Sequence, residues 1–553
     1  MPQKIDWQLF PLLRLALALI LGVVVGYETA VSPGVWLVGL LVAVVACVVL
    51  QRQPIAQGVA ICLSFFLLGA SLMVRQKQRL SLPLPVDEVS YQAVVASEPQ
   101  VRGKVLRMDL WLVGSDDLPR KVKASILREN SLDRESSSPR DHTADGETST
   151  PGETTDRESS TLGETAAQES SSQRALSARE ADLHVGDGIR VVSQFQRPDN
   201  YYASNFDYPL YLKCHGFTAT TLILPRQWQK TQVDLTPLSH LDRTILAAMK
   251  FRQSTLRKYL SLGLDDEEMA VAVAMAMGDR SRITNDLRDI YSISGASHVL
   301  ALSGLHLGII YIMLSLMVGS RRLGVLREIL IILGIWSYAI FTGLSPSVVR
   351  ASVMITVYAV ATILHRQRIS LNALALTAIL MVTASPLCVY DVGFQMSFMA
   401  VLSIVVCYKP LAGLVSSEYQ QPHPLVKWVW TMAVVSFCAQ LGTAPLTAYY
   451  FGRFSVYFLL TNFIVIPLAT AILYLTAAML ISSLIPGLLP FMARCLALVV
   501  GCQNMFARWV ASLPGSSIEG ISINRWQLLM VYVVIAAVSV VIYKMMKVKN
   551  WLR

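Results

Sequence analysis

The stretch that decides the reading is ISGASHVLALSGLHLGII, Ile293–Ile310. It is apolar enough to enter a membrane. Within one helical span it nevertheless carries two histidines (His298 and His306), three serines (Ser294, Ser297 and Ser303) and three glycines (Gly295, Gly304 and Gly308). A segment built only to anchor would use Leu, Ile, Val and Phe, because an unpaired polar group in hydrocarbon costs several kcal/mol. Ionisable side chains at membrane depth therefore point to function. The small residues equally suit close helix contact, with hydroxyls bonding across the interface.

The remainder of the chain agrees with a membrane setting. Of its 553 residues, 54% are hydrophobic and only 15% charged, with a mean hydropathy of +0.49. Soluble domains carry about 25% charged residues. Apolar runs lie near 10–26, 33–50, 57–74, 297–318, 325–342, 347–364, 371–387, 392–408, 427–447, 455–484, 487–511 and 526–546. They predict a polytopic α-helical membrane protein of about 10–12 spans rather than a barrel, whose strands would alternate. The formal net charge is +10, but residues 129–182 hold 13 acids against 5 bases, which leaves the rest at +18.

Basic clusters recur on alternate sides of these runs: Arg321, Arg322 and Arg327; His365, Arg366 and Arg368; Lys409 and Lys427; Lys544, Lys547 and Lys549. The positive-inside rule puts them in the cytoplasm and residues 75–240 outside. The eight cysteines include no CxxC pair, and only Cys214 falls in the soluble part. The eight histidines form no HxxxH or HxHxDH cluster, so no metal and no other cofactor is expected.

Four regions follow. Residues 1–74 read as three membrane helices. Residues 75–240 hold short strand-rich runs (YQAVVASEP, KVLRMDLWLV, KVKASIL, DGIRVVSQFQ and FTATTLILP) that suit a small OB-like barrel inserted after the third helix. Within it, 129–182 repeats DRESS and GET, is nearly free of aromatics, and reads as a disordered loop. Residues 241–292 have helical patterning and balanced charge, and predict amphipathic helices on the membrane surface or over a cavity mouth. Residues 293–553 complete the helical membrane domain.

Other runs also hold residues that hydrocarbon does not tolerate alone: Arg350, Asp391 with Gln395 one turn on, Gln440 and Asn462. Arg350 and Asp391 are both placed near the outer surface and suit an ion pair. Together with Gly343, Pro346, Gly393, Pro445 and Pro467, the set also suits broken helices lining a path for a polar solute. Ser303 and His306 share a helix face, but the spacing supplies no acid or oxyanion donor for a Ser/His hydrolase.

These residues sit in recognisable motifs. GDRS (278–281) followed by SHVLALSGLH (297–306), then WSYAIFTGLSPSVVRASVM, LNALALTAILM, DVGFQMSFMAVLSI and AQLGTAPLTAYYFGRFS, resembles the ComEC family of competence proteins, motif by motif and in order. SNFDYPLYLKCHGF (204–217) is similar to the end of that family's external domain. The resemblance implies an inner-membrane channel for a single strand of transforming DNA, with the OB-like domain near its entrance. Carried over by motif, it points to Asp279, Arg280, His298, Ser303, His306, Arg350, Asp391, Gln395, Gln440 and Asn462. Trp336 and Tyr338 offer rings for bases, and Arg280 and Arg350 charges for phosphates.

Membrane lipid, a DNA-delivering competence protein outside, a separate nuclease and a cytoplasmic ATP-driven motor are the implied partners. The chain lacks the GxxxxGKS/T loop of a motor, and it stops at Arg553 without the family's metallo-β-lactamase-like domain, so no nuclease activity is expected of it. A transporter or flippase for a smaller anionic solute is the alternative, ahead of a Ser/His hydrolase.

Overall fold

In a computed structural model the described residues are 10–81, 84–85, 87–114, 120–128, 183–200, 206–260, 266–319, 324–364, 371–415, 420–482 and 487–552. The insertion at 129–182, and with it the basic loop residues Arg321, Arg322, His365, Arg366 and Arg368, lies outside them. Two units emerge: Met1–Ser81 with Asn200–His215 and Phe251–Arg553, and Leu82–Asp199 with Gly216–Lys250.

The first three helices are α1 (Pro11–Glu28), α2 (Pro33–Val49) and α3 (Pro54–Leu80), each with proline in its first turn. Its fixed φ and missing N–H cost nothing at that position. Helices α1 and α3 meet backbone to backbone. A Cβ on Gly26 would lie 2.7 Å from the Ala70 carbonyl oxygen, and one on Gly22 would collide with the Phe66 carbonyl. Small residues four apart let the two helices approach this closely in a lipid setting.

The second unit is a single sheet. Its strands are β1 (Val89–Val95), β2 (Gln100–Arg102), β3 (Val105–Val113), β4 (Lys121–Leu127), β5 (Gly188–Ser193), β6 (Phe195–Gln196), β7 (Ala219–Ile223) and β8 (Trp228–Lys230). The order is β6-β7-β4-β3-β1-β5-β8, with β2 on β3, and only the β4–β7 pair is parallel. Strands β5 and β6 are parted by Gln194 alone. Residues 188–196 thus pair with β1 at one end and β7 at the other, and the sheet curls back on itself. All five strand-rich runs are strands.

Alternation builds the core of this unit: β4 buries Val122, Ala124 and Ile126 and turns Lys121 and Lys123 away. Tyr91 Oη and Ser193 Oγ, then Ser193 Oγ and Thr221 Oγ1, are 2.8 Å apart in a buried chain across the closure. Burial pushes the Tyr91 phenol pKa up, and the Ser193 hydrogen bond pulls part of that back.

The chain then runs through α4 (Tyr208–Cys214), α5 (His240–Leu260), α6 (Asp266–Met277), α7 (Asn285–Ile293), α8 (Ser297–Leu300), α9 (Gly304–Val318), α10 (Val325–Phe341), α11 (Pro346–Ile363), α12 (Leu371–Ala384), α13 (Val392–Ala412) and α14 (Pro424–Phe451). Strand β9 (Arg453–Ser455), α15 (Phe458–Ser482), α16 (Leu488–Ala511), β10 (Ser517–Glu519), which pairs with β9, and α17 (Arg525–Leu552) complete it.

Among the described residues, nine helices are long and apolar enough to cross a membrane: α1, α2, α3, α11 and α13–α17. Helices α9 and α12 are apolar but have only 15 and 14 residues. The outward faces of α2 and α17 are bare Val and Leu, such as Leu41 at 65% and Val534 at 61% exposure. A surface of that kind is one that lipid, not water, covers.

One expectation changes. Helix α5 has the anticipated mix of buried and exposed residues, but α6 does not lie on a surface: every residue from Met269 to Met277 is buried. The run AVAVAMAMG offers no polar side to present to water. Nine apolar residues are too few to span a bilayer, yet enough to fill the centre of a bundle, where α6 packs against α15 and α16.

Candidate functional site

The stretch Ile293–Ile310 is not one helix. Helix α7 ends at Ile293, Gly295 takes a left-handed φ of +83°, α8 makes a single turn, and α9 starts only at Gly304. A side chain at Gly295 would press on Ser455, since its Cβ would lie 2.8 Å from that hydroxyl. Thr461 Oγ1 donates to the Ser294 carbonyl at 2.7 Å, which fixes the break against α15.

Ser303 is the N-cap of α9. Its backbone N–H donates to His306 Nδ1 at 3.2 Å, and its Oγ lies 2.8 Å from the same nitrogen. Since the backbone N–H can only donate, Nδ1 accepts, and in the neutral ring Nε2 carries the proton. That Nε2 is buried and has no hydrogen-bond partner among the described residues, and His306 is wholly buried. Among the described residues no carboxylate orients the imidazole, so there the pair caps a helix without the third member of a hydrolytic triad.

The GDRS turn sits beside this break. Gly278 closes α6 at φ +78°, and the buried Asp279 carboxylate accepts the Ser281 N–H at 2.9 Å, shaping the turn. Arg280 and His298 are exposed, and both are near enough to act electrostatically on His306. The last carbonyls of α6 are held from two sides. Arg252 Nη1 donates to Met277 O at 3.1 Å and Tyr338 Oη to Ala276 O at 2.8 Å. Trp336 Nε1 donates to Thr356 Oγ1 at 3.1 Å. The polar atoms of both aromatics, expected as stacking rings, are therefore spent tying α10 to α6 and α11.

A second group joins α11, α13 and α14. Arg350 Nη1 donates to Asp391 Oδ2 at 3.0 Å, with the two side chains 8% and 10% exposed. The same Oδ2 accepts the Phe394 N–H at 3.0 Å and so caps α13. Gly393 leaves room for the guanidinium, because a Cβ there would lie 2.8 Å from Arg350 Nη2. One turn on, Gln395 Nε2 donates to Val389 O at 3.0 Å and its Oε1 accepts the Tyr450 hydroxyl at 2.9 Å. The Arg350–Asp391 pairing anticipated from the sequence is present. Asn462, beside Thr461 on α15, has a buried Oδ1 without a partner among the described residues. Gln440 sits midway along α14, and among the described residues no hydrogen bond joins it to either group.

Three functional-looking residues escaped the sequence reading. Tyr291, fully buried, donates to Asn504 Oδ1 at 2.7 Å and accepts from Gln503 Nε2 at 3.0 Å. The adjacent polar pair in the apolar run VVGCQNMF was the available signal. Among the described residues no three His, Cys, Asp or Glu side chains gather as metal ligands.

A multi-helix bundle with an apolar exterior, a broken central stretch and buried Arg, His, Gln and Asn side chains defines a polytopic membrane protein with a polar interior. Residues 275–545 match the family model described as Competence protein. The matched span belongs to the ComEC-type competence protein family. The chain is 32% identical over 234 residues to ComE operon protein 3 of Bacillus subtilis, covering 40% of this chain and 28% of that protein. It is 29% identical over 199 residues to an uncharacterized protein of Aquifex aeolicus, covering 36% and 44%. To Recombination protein 2 of Haemophilus influenzae it is 23% identical over 215 residues, covering 36% and 27%. The chain thus spans less than half the length of each of these relatives. No solved structure matches it.

Proposed function

We propose that the chain conducts one strand of DNA across the bacterial inner membrane during natural transformation, with the β unit outside as an OB-like receiving module. The observation that carries this is the break at Ile293–Ile310, where exposed Arg280 and His298 flank the buried His306 inside a competence-family helical unit. Cations can replace the counterions of a passing phosphate chain, and hydroxyl and amide groups its water. On this reading Arg350 and Asp391 lock the wall of the path, while Ser303 shapes its mouth.

The strand order of the β unit supports the OB-like reading. Taken as one bent strand, β5 with β6 closes the circuit β1-β3-β4-β7-β5/6-β1, with the parallel β4–β7 step that a five-stranded Greek-key barrel requires. Its β3–β4 face carries Trp111 under Lys121 (5.0 Å), Lys123 over Phe217 (4.7 Å) and the exposed Arg107. Rings beside cations are the chemistry single strands favour. A delivering protein outside, a separate nuclease and an ATP-driven motor inside complete the system.

The test is entry of labelled DNA into the cytoplasm of a strain lacking this gene and any second copy. Entry is expected to stop and to return on complementation. Undiminished entry without the gene overturns the proposal, and loss of a small anion's transport with DNA entry intact favours the solute transporter.

A further inference from the structure

The segment FDYPLYLKCH, residues 206–215, resembles the end of an external domain in sequence, yet Asn200–His215 groups with the helical unit. Asp207 caps α4 by accepting the Leu210 N–H at 2.9 Å, and Pro209 sits in its first turn. In a helix, residues three and four apart share a face. Tyr208, Tyr211 and His215 therefore line up, with Leu212 on the flank of that face and fully buried.

The rings form a series. Tyr208 and Tyr211 are stacked at 6.5 Å and 20°, Phe206 lies 5.4 Å from Tyr211, and His215 lies 4.3 Å from it. His215 Nδ1 is 2.8 Å from the Tyr211 carbonyl oxygen, which holds the imidazole against the phenol. All four rings are only partly covered, so they are not core filling.

Charge lies beside them. Arg280 is exposed, with Tyr211 and Arg288 close enough to act on it electrostatically, and Lys213 is exposed on α4 itself. The nearby acids include Asp207, which serves the α4 cap, Asp391, which is close enough to act on Cys214 of α4, and Asp286 and Asp289 on the helix that carries Arg288. Arg280 and His298 in turn lie near enough to His306 to act on it electrostatically. Arg280 thus lies within electrostatic reach of both Tyr211 and the broken stretch.

We infer that Phe206, Tyr208, Tyr211 and His215 are a stacking platform for unpaired nucleobases, which passes a single strand to Arg280 and the Ile293–Ile310 break. The inference rests on the DNA-conducting reading and deepens it. Stacking suits any base because each has a π-face, and it excludes duplex, whose bases are already stacked. A small anion would use Arg280 and gain nothing from the rings.

The probes are a fluorescein-labelled oligothymidylate and an abasic strand of equal length, each titrated by anisotropy against the full chain in nanodiscs. Wild type is expected to hold the oligothymidylate more tightly. Tyr208→Leu/Tyr211→Leu is expected to weaken that binding about ten- to a hundredfold and leave the abasic strand unaffected, and Tyr208→Phe/Tyr211→Phe to restore it. Equal binding of both strands by wild type, or an unchanged oligothymidylate affinity in the leucine variant, overturns the platform while leaving DNA conduction standing. Loss of both strands in the leucine variant makes these rings fold elements and also overturns it. A wild type that holds neither strand removes both readings.

Discussion

Arg350→Met tests what the buried ion pair does. Both side chains are about nine-tenths buried, so solvent screens little, and breaking such a pair by removing one partner costs about 3–5 kcal/mol. After this change Asp391 Oδ2 keeps the Phe394 N–H at 3.0 Å, which places Arg350→Met near the lower end, about 3 kcal/mol. Asp391→Leu also removes the α13 cap, about 1 kcal/mol. It strands a guanidinium whose Nε already lacks a partner, so it falls near about 5 kcal/mol.

The double variant Arg350→Met/Asp391→Leu leaves no buried charge at this pair. It is expected to cost no more than the worse single change, a coupling of at least about 3 kcal/mol. Reversible unfolding in mixed micelles reads the stabilities, and uptake of labelled DNA is followed in the same variants. If the pair is a lock, uptake falls with stability in the singles and recovers in the double. Single costs below about 1 kcal/mol, or additive costs, refute the energetic argument. Uptake that stays lost while stability returns refutes the lock and assigns Arg350 to the cargo.

Two further outcomes follow from the geometry. Tyr291→Phe removes the hydroxyl that joins Asn504 and Gln503, leaving both buried amides short of a partner, and is expected to cost about 1–3 kcal/mol of unfolding free energy; a change of a few tenths would mean the network carries no weight. Ser303→Ala removes the Oγ contact but keeps the backbone donor to His306, so a stability loss of about 1 kcal/mol with uptake largely retained is expected. Abolished uptake with the fold intact would bring Ser/His chemistry back.

The sequence exposed what depends on local pattern. Alternation showed the five strands of the curled sheet, and hydropathy showed the long helices. Two polar residues placed at the same membrane depth, Arg350 and Asp391, were enough to anticipate their pairing. What escaped depends on partners far along the chain. Met269–Met277 is apolar all round, which in so short a run gives length as the only cue, and length speaks against a span without revealing burial. Tyr291 meets Asn504 from 213 positions away, beyond any window. The break in Ile293–Ile310 was hidden by its own hydropathy, although Gly295 and the Ser303–His306 spacing carry the turn and cap that end and restart the helix. Trp336 and Tyr338 looked like free rings because a sequence does not show which carbonyl a hydroxyl or indole will find.

The buried helix α6 has an electrical consequence. Its 12 residues make a rod about 18 Å long, against about 30 Å of hydrocarbon, so it cannot join one membrane face to the other. Aligned peptide dipoles leave about half a negative charge at its C-terminal end, next to Arg280. Unopposed in a low-dielectric interior, that pole would repel any polyanion arriving at the break. Glu267 and Glu268 in its first turn oppose the positive pole at the other end, and the Arg252 guanidinium with the Tyr338 hydroxyl quenches the negative one at Met277 and Ala276. The rod is thereby neutralised at both tips, and the charge that a phosphate would meet beside it is that of Arg280 rather than of the backbone.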